Sequence, residues 1–296
     1  MQYANGIYKQ EGSPEQAQFL RRRVLGPLLV NSMQSTANTA RTGFSSDHNV
    51  TFVLMHYLGG SSKTWSPTVP YLMDRFKCVA LDTPGFGDVS GLSGYSVQEM
   101  AIYFDQVIRC MQLKNVVLVG HSMTGKVALV MAAASPEYLR GIILVTPSPP
   151  CPQPITPADR ATQLAFANQR DQAEAFVAKS HVRPLPDAWR ETAVQDVLRC
   201  NPAAFHAWAG SGMDEDWSAR IGEIRFPALL ISGGADENVP GPDDQHRMTL
   251  SHLPFGSMAI LPGMGHLLPM EAPEALAALM RNFAEALERH APDCMA

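Results

Sequence analysis

A chain of 296 residues that is 46% hydrophobic and 17% charged carries enough apolar material to bury a large core without disulfide or metal staples. Its formal net charge of −5 argues against nucleic acid, which selects a clustered basic face; the one basic run, Arg21-Arg22-Arg23, is short and set among apolar residues. No apolar run approaches the roughly 20 residues that span a bilayer, so a membrane is not expected as a partner. The polar start Met1–Asn5 lacks a charged-then-apolar signal. Cys78, Cys110, Cys151, Cys200 and Cys294 are scattered, odd in number and form no Cys-x-x-Cys pair, which fits reduced thiols in a cytoplasmic protein.

In chain order, Phe19–Ser32 suggests an edge strand and Met33–His48 a polar turn and loop. Short apolar, β-branched-rich runs then recur at Thr51–His56, Lys77–Leu81, Val116–Val119, Gly141–Val145, Ala228–Ser232 and Ser257–Leu261. Runs of this kind suit strands buried on both faces, as in a parallel sheet covered by helices. Helical patterns lie between them, near Trp65–Asp74, Val97–Met111, Met123–Ala134 and Glu271–Arg289, the last with an apolar stripe through Leu276, Leu279, Met280, Phe283 and Leu287. Alternating strand and helix predict a doubly wound α/β fold with a mostly parallel sheet.

From about Pro147 to Trp217 the alternation stops. Pro147-Ser148-Pro149-Pro150-Cys151-Pro152 tolerates neither helix nor central strand. Helical patterns follow over Pro157–Phe166, Gln172–Ser180, Ala188–Cys200 and Ala203–Ala209, with no clear strand. The reading is a helical lid, residues 147–217, inserted into a core made of residues 1–146 and 218–296. The lid carries Phe166, Phe176, Trp189, Phe205, Trp208 and Met213, with Trp217 at its exit. Aromatics at helical spacing more often pack helix against helix than touch a ligand, yet a lid must offer some apolar surface to its cavity. Trp189 and Trp208 are the expected lid contacts to substrate.

The sharpest chemical signal is Val117-Leu118-Val119-Gly120-His121-Ser122-Met123-Thr124-Gly125-Lys126, a strand that runs into a helix through a turn bearing a serine. A serine so placed projects at a helix N-terminus, where free amides and the dipole favour developing negative charge. Further on, Ile231-Ser232-Gly233-Gly234-Ala235-Asp236 puts an aspartate just past a strand, and about 30 residues later Pro262-Gly263-Met264-Gly265-His266-Leu267 puts a histidine before the last helix. Taken singly, Ser122 reads as a cap, Asp236 as a turn residue and His266 as a loop histidine. Three ordered matches at strand C-termini make coincidence a poor explanation.

These segments resemble the α/β-hydrolases, whose Gly-x-Ser-x-Gly elbow is followed by an acid and then a histidine. His56-Tyr57-Leu58-Gly59-Gly60 resembles that family's oxyanion loop and Asp82-Thr83-Pro84-Gly85-Phe86-Gly87 its Asp-x-Pro-Gly-x-Gly loop. The glycines of the second loop invite a phosphate-loop reading, but no Gly-Lys-Ser/Thr follows. The resemblance covers about residues 50–146 and 218–290. It implies Ser122 as nucleophile, His266 as base, Asp236 as the acid that orients it, and the amides of Leu58 and Met123 as oxyanion donors. Two positions depart from the family pattern: Thr124 stands where a small residue is usual, and Tyr57 replaces a glycine beside the oxyanion donor. Tyr57, His121 and Leu267 join the two tryptophans as expected substrate contacts.

The function implied is cofactor-free hydrolysis of a small or medium, largely apolar carboxylic ester, lactone or thioester. The same triad serves perhydrolases and carbon–carbon bond hydrolases, although the latter usually carry tryptophan where Leu267 stands, and it is retained in ligand receptors on this fold. Aspartate-nucleophile dehalogenases and epoxide hydrolases are disfavoured by the serine. The histidines, including His181, His206, His246 and His252, lack paired ligand spacing, so no metal is expected. The partner expected is a small-molecule substrate. The sequence leaves the oligomeric state, monomer or homodimer, open.

Overall fold

The computed structural model describes residues 50–289; the expectations for Phe19–Ser32 and Met33–His48, and Cys294, lie outside the described residues. Six strands form one sheet among the described residues: β1 Thr51–Met55, β2 Lys77–Leu81, β3 Val116–His121, β4 Leu139–Val145, β5 Ala228–Gly233 and β6 Gly256–Leu261. Their order is β2-β1-β3-β4-β5-β6 and every pairing is parallel. All six match the strands expected from the sequence to within two residues. Parallel strands need covered faces, and the pattern follows position: β1, β3 and β5 are buried throughout, whereas the edge strands β2 and β6 are only partly so.

Side chains alternate between two apolar layers. On one face Val53, Met55, Leu118, Ile142, Leu144 and Leu230 meet helices α1 (Val97–Cys110) and α2 (Met123–Ala133). Ser96 caps α1 by accepting the Glu99 amide, with Glu99 reaching back to the Ser96 amide. Helix α2 is buried on all sides from Met123 to Ala132, which is why its sequence is apolar without a polar face. On the other face Phe52, Leu54, Val117, Val119, Ile143 and Ile231 pack with Trp65 and the stripe of the C-terminal helix.

Between β4 and β5 the chain forms α3 (Pro157–Leu164), α4 (Arg170–Lys179), α5 (Asp187–Arg199), α6 (Pro202–Gly210) and the short α7 (Ser218–Ile221), with no strand among them. The four longer helices match the expected helical patterns. After β5 come α8 (Pro242–Met248), the short α9 (Leu268–Glu271) and α10 (Pro273–Arg289).

Three local expectations differ. The helix expected near Trp65–Asp74 is instead two 3-10 turns, Ser62–Trp65 and Val69–Tyr71, because Pro67 and Pro70 remove the donors that an α-helix would need. The C-terminal helix begins at Pro273 rather than Glu271, Pro273 being suited to a first turn. Helix α8 has no apolar period in the sequence and was not expected; Pro242 starts it and Gln245 is its buried residue.

Chain direction places the site. From β1 the chain crosses to β2 at one side, and from β3 to β4 at the other, so the loops leaving β1 and β3 diverge. A crevice opens at such a switch point, beyond the carboxyl ends of the strands. The segments after β1, β3 and β5 (Tyr57–Gly60, Ser122 and Asp236) all lie at that end.

Candidate active site

Ser122 follows β3 directly and caps α2 with φ 55° and ψ −116°, a conformation that side chains rarely adopt. The backbone is held there from both sides: its amide donates to Val145 O at 3.0 Å, and its carbonyl accepts from Gly125 at 2.8 Å and Ser148 at 2.9 Å. The turn requires glycine on both flanks. A Cβ at Gly120 would lie 2.4 Å from Thr124 O, and one at Gly125 would lie 2.5 Å from Pro147 Cβ.

Thr124 explains why the missing glycine is tolerated. It is fully buried, its hydroxyl accepts the His121 amide at 2.9 Å, and it lies 3.0 Å from both Met55 O and His121 O. The side chain therefore links the ends of β1 and β3 beneath the turn, and its hydroxyl provides a partner for the amide immediately before the serine. Ser122 keeps 7% exposure at the head of α2. The Met123 amide is the first of that helix, one of the donors a helix leaves without an internal partner.

His266 lies in the loop after β6. Its Nδ1–H donates to Asp236 Oδ2 at 2.7 Å, with the two side chains 5% and 2% exposed. A carboxylate only accepts, so this bond fixes the proton on Nδ1 and leaves Nε2 as the basic nitrogen. Asp236 Oδ1 accepts the Asn238 amide at 2.8 Å, turning the acid loop back on itself.

His266 is held by groups whose part in this the sequence scarcely signals. The carbonyl of His266 accepts His121 Nε2–H at 2.8 Å, and its amide donates to Ser180 O at 3.1 Å, at the end of α4. Glu271 gathers four amides: Gly265 at 2.9 Å, and Leu267, Val182 and Arg183 at 3.0 Å each. One carboxylate thus joins the histidine loop to the loop after α4. An acid shortly after His266, at the start of the final helical run, was its only signal in the sequence.

His121, expected at the substrate, is fully buried and directed at His266 O, with its ring 5.2 Å from that of His266. Burial pushes its imidazole well below the ordinary histidine value, so it stays neutral near pH 7. Tyr57 is also buried, its ring 5.2 Å from His121 and edge-on to His266 at 6.4 Å, and its hydroxyl has no partner among the described residues. Burial raises its phenol far above the ordinary tyrosine range. Tyr57 and Leu58 thus lie in the loop after β1, Met123 is the first residue of α2 after Ser122, and Leu267, next in sequence to His266, is fully buried.

The two tryptophans expected at the substrate separate. Trp208 is 3% exposed and packs against Lys126, whose Nζ sits 5.7 Å above its ring. Lys126 crosses from α2 to donate to Gly212 O, Met213 O and Glu215 O at 3.3, 3.1 and 2.9 Å, and Trp208 packs over that crossing. Trp189 is half-buried and lines an open cavity of about 120 Å³ with Lys63, Ser66, Pro67, Thr192 and Met270. Phe166 and Phe176 both pack on Phe205, with ring centroids 4.4 and 5.3 Å from its own.

Cys78, Cys110, Cys151 and Cys200 are free thiols. Burial pushes the Cys78 and Cys200 thiols up to about 12, far from nucleophilic reactivity. No helix among the described residues is long and apolar enough to cross a membrane.

Comparison with known proteins identifies the fold and the family. The sequence is 28% identical over 245 residues to the pimeloyl-(acyl-carrier protein) methyl ester esterase of Edwardsiella ictaluri, covering 79% of this chain and 92% of that protein. Among solved structures it is similar to an esterase from Exiguobacterium antarcticum, with TM-score 0.72, 17% identity, and 80% of this chain and 92% of that one covered. It is similar in the same degree to a bromoperoxidase from Bacillus anthracis, with TM-score 0.72, 19% identity and the same coverage. At such identities these structures share the fold. The alpha/beta hydrolase family model matches residues 52–279, from the first described strand into the last helix, and the chain belongs to that family.

Proposed function

We propose that this protein is a serine hydrolase that cleaves a small or medium, largely apolar carboxylic ester through an acyl-enzyme. The observation that carries the proposal is the presence, in the order the family requires, of a serine at φ 55° on the head of a buried helix and of a histidine whose Nδ1 is committed to a buried aspartate. Ser122 Oγ attacks the ester carbonyl while His266 Nε2 takes its proton. Asp236 holds the tautomer and stabilises the imidazolium. The Met123 and Leu58 amides receive the oxyanion, and His266 returns the proton to the leaving alcohol. Water then attacks the acyl-enzyme, its proton passing to the same nitrogen, and Ser122 is regenerated.

Residues 147–217 act as the lid of this site. Its helices reach the catalytic loops directly, through Ser180 O on His266 and through Gly59, where an added Cβ would lie 3.1 Å from Val197 and 3.4 Å from Phe176. The lid side chains that meet this loop at Gly59 (Val197, Phe176 and Phe205) are apolar, which favours an uncharged acyl or alcohol group. Methyl ester hydrolysis by the Edwardsiella relative points to the same bond type.

The test compares wild type with Ser122→Ala on p-nitrophenyl esters of increasing acyl length, with a fluorophosphonate probe alongside. Turnover and labelling should both vanish in the variant, by a factor on the order of 10⁴ or more in kcat. Labelling of wild type without ester turnover would instead favour a perhydrolase, a carbon–carbon bond hydrolase or a receptor. Neither activity in folded wild type would refute the triad assignment.

A further inference from the structure

The helical segment contributes a buried carboxylate that the mechanism above does not use. Asp196 lies on α5 with 2% exposure. Its Oδ2 accepts the hydroxyl of Ser61 at 2.6 Å, and its Oδ1 accepts Nε and Nη2 of Arg199 at 3.1 and 2.7 Å. Ser61 is fully buried and stands directly after the turn Tyr57–Gly60, in which Gly60 donates to Tyr57 O at 3.1 Å and Gly59 takes φ 78° at the corner. The same Ser61 oxygen accepts the Lys63 amide at 3.2 Å and starts the 3-10 turn Ser62–Trp65.

The loop bearing the Leu58 amide is therefore fixed at two ends by different parts of the molecule. At its start the core holds it: His56 Nδ1–H donates to Tyr57 O at 2.7 Å, while His56 Nε2 accepts the Thr83 amide at 3.0 Å. At its finish the helical segment holds it, through Asp196 and Ser61. Little slack remains between, because Gly59 already sits against Val197, Phe176 and Phe205.

We propose that Asp196 is a positioning residue for the oxyanion loop: through Ser61 it sets the direction of the Leu58 amide, so that transition-state stabilisation depends on the helical segment being seated. The inference rests on the serine-hydrolase reading. A buried carboxylate is costly, and an apolar pair would hold helix and loop together at least as well. What the carboxylate adds is direction, since a charge-assisted hydrogen bond is short and strongly oriented. Burial pushes the Asp196 carboxyl upward, while Ser61 and Arg199 favour its charged form. Arg199 also balances the negative charge, which would otherwise oppose an oxyanion forming nearby.

The experiment measures kcat and KM on p-nitrophenyl butyrate for wild type, Asp196→Ala, Asp196→Asn, Ser61→Ala and the double alanine variant, with an aliphatic trifluoromethyl ketone as the oxyanion-forming inhibitor. Each single alanine variant should lose about tenfold or more in kcat with KM changed by less than about threefold, and inhibitor affinity should fall in parallel. The double variant should be no worse than the worse single one, because both changes break one connection. Asp196→Asn should recover much of the loss, its amide oxygen still accepting from Ser61. Additive losses, kcat within twofold of wild type, or an effect confined to KM and melting temperature would overturn the proposal. If Asp196→Ala fails to fold, Ser61→Ala decides, and normal kcat there overturns it equally. A wild type with neither turnover nor fluorophosphonate labelling overturns the hydrolase reading and this inference with it; an active wild type with unaffected variants overturns the positioning role alone.

Discussion

Replacing Thr124 by valine isolates the element that substitutes for the elbow glycine. Valine has nearly the same shape, so no cavity opens and the packing beneath the elbow persists. The hydroxyl disappears, and with it the partner of the His121 amide, which is buried and lies 2.9 Å from that oxygen. A buried amide left unpaired costs about 1–3 kcal/mol, and Met55 O and His121 O lose a shared donor besides. A loss of about 2 kcal/mol is expected, which for a domain of this size lowers Tm by roughly 4–8 °C. Thr124→Ser keeps the hydroxyl and removes one methyl, worth about 1 kcal/mol. Urea titration followed by tryptophan fluorescence gives both differences. The His121 amide is adjacent to Ser122, so kcat of the valine variant should fall about tenfold as the turn relaxes. A valine variant within 0.5 kcal/mol of wild type (roughly the scatter of neutral substitutions), or a serine variant equally damaged, would refute the hydrogen-bond account.

Three further outcomes are expected. Tyr57→Phe removes a buried hydroxyl that has no partner among the described residues, so stability should stay level or rise by up to about 1 kcal/mol. KM should then increase for esters carrying a hydrogen-bond acceptor in the acyl chain and not for plain aliphatic ones; a loss of stability would show that the phenol is already satisfied. Glu271→Ala removes the acceptor of the Gly265, Val182 and Arg183 amides, the Leu267 amide keeping Ser180 O, and should cost about 2 kcal/mol in urea unfolding, with a matching fall in kcat that Glu271→Gln partly restores. Lys126, whose ammonium burial pulls down to about 8 against the attraction of Glu215, Cys151, Asp216 and Asp214, supplies a pH signature. Above pH 8 the unfolded chain holds more protons on this lysine than the folded one, so wild-type stability should rise from pH 8 to 9 relative to Lys126→Met, by at most about 1.4 kcal/mol per pH unit. A flat difference would mean that the lysine keeps its ordinary value; above pH 9 the buried Cys78 and Cys200 thiols act in the opposite sense.

What the sequence determined by itself was the frame and the candidate reacting groups. Apolar runs of strand length between helical patterns fix a covered parallel sheet, and Ser122, Asp236 and His266 each sit in a local motif readable from a few neighbours. Local signals also mislead where proline intervenes: the period over Trp65–Asp74 is helical, but Pro67 and Pro70 divide it into 3-10 turns. Only the tertiary structure decided how the site is held. Thr124 looks like a defect until its hydroxyl is seen between β1 and β3, and nothing in the sequence tells that His121 reaches His266 O or that Trp208 packs on Lys126. The roles of Glu271, Lys126 and Asp196 are not readable in the sequence, because partners of each are backbone groups or side chains 86 to 135 residues away. Such long-range hydrogen bonds leave no periodic trace in a sequence. They exist only once folding has brought carbonyls, amides and carboxylates from separate elements to one edge of the sheet.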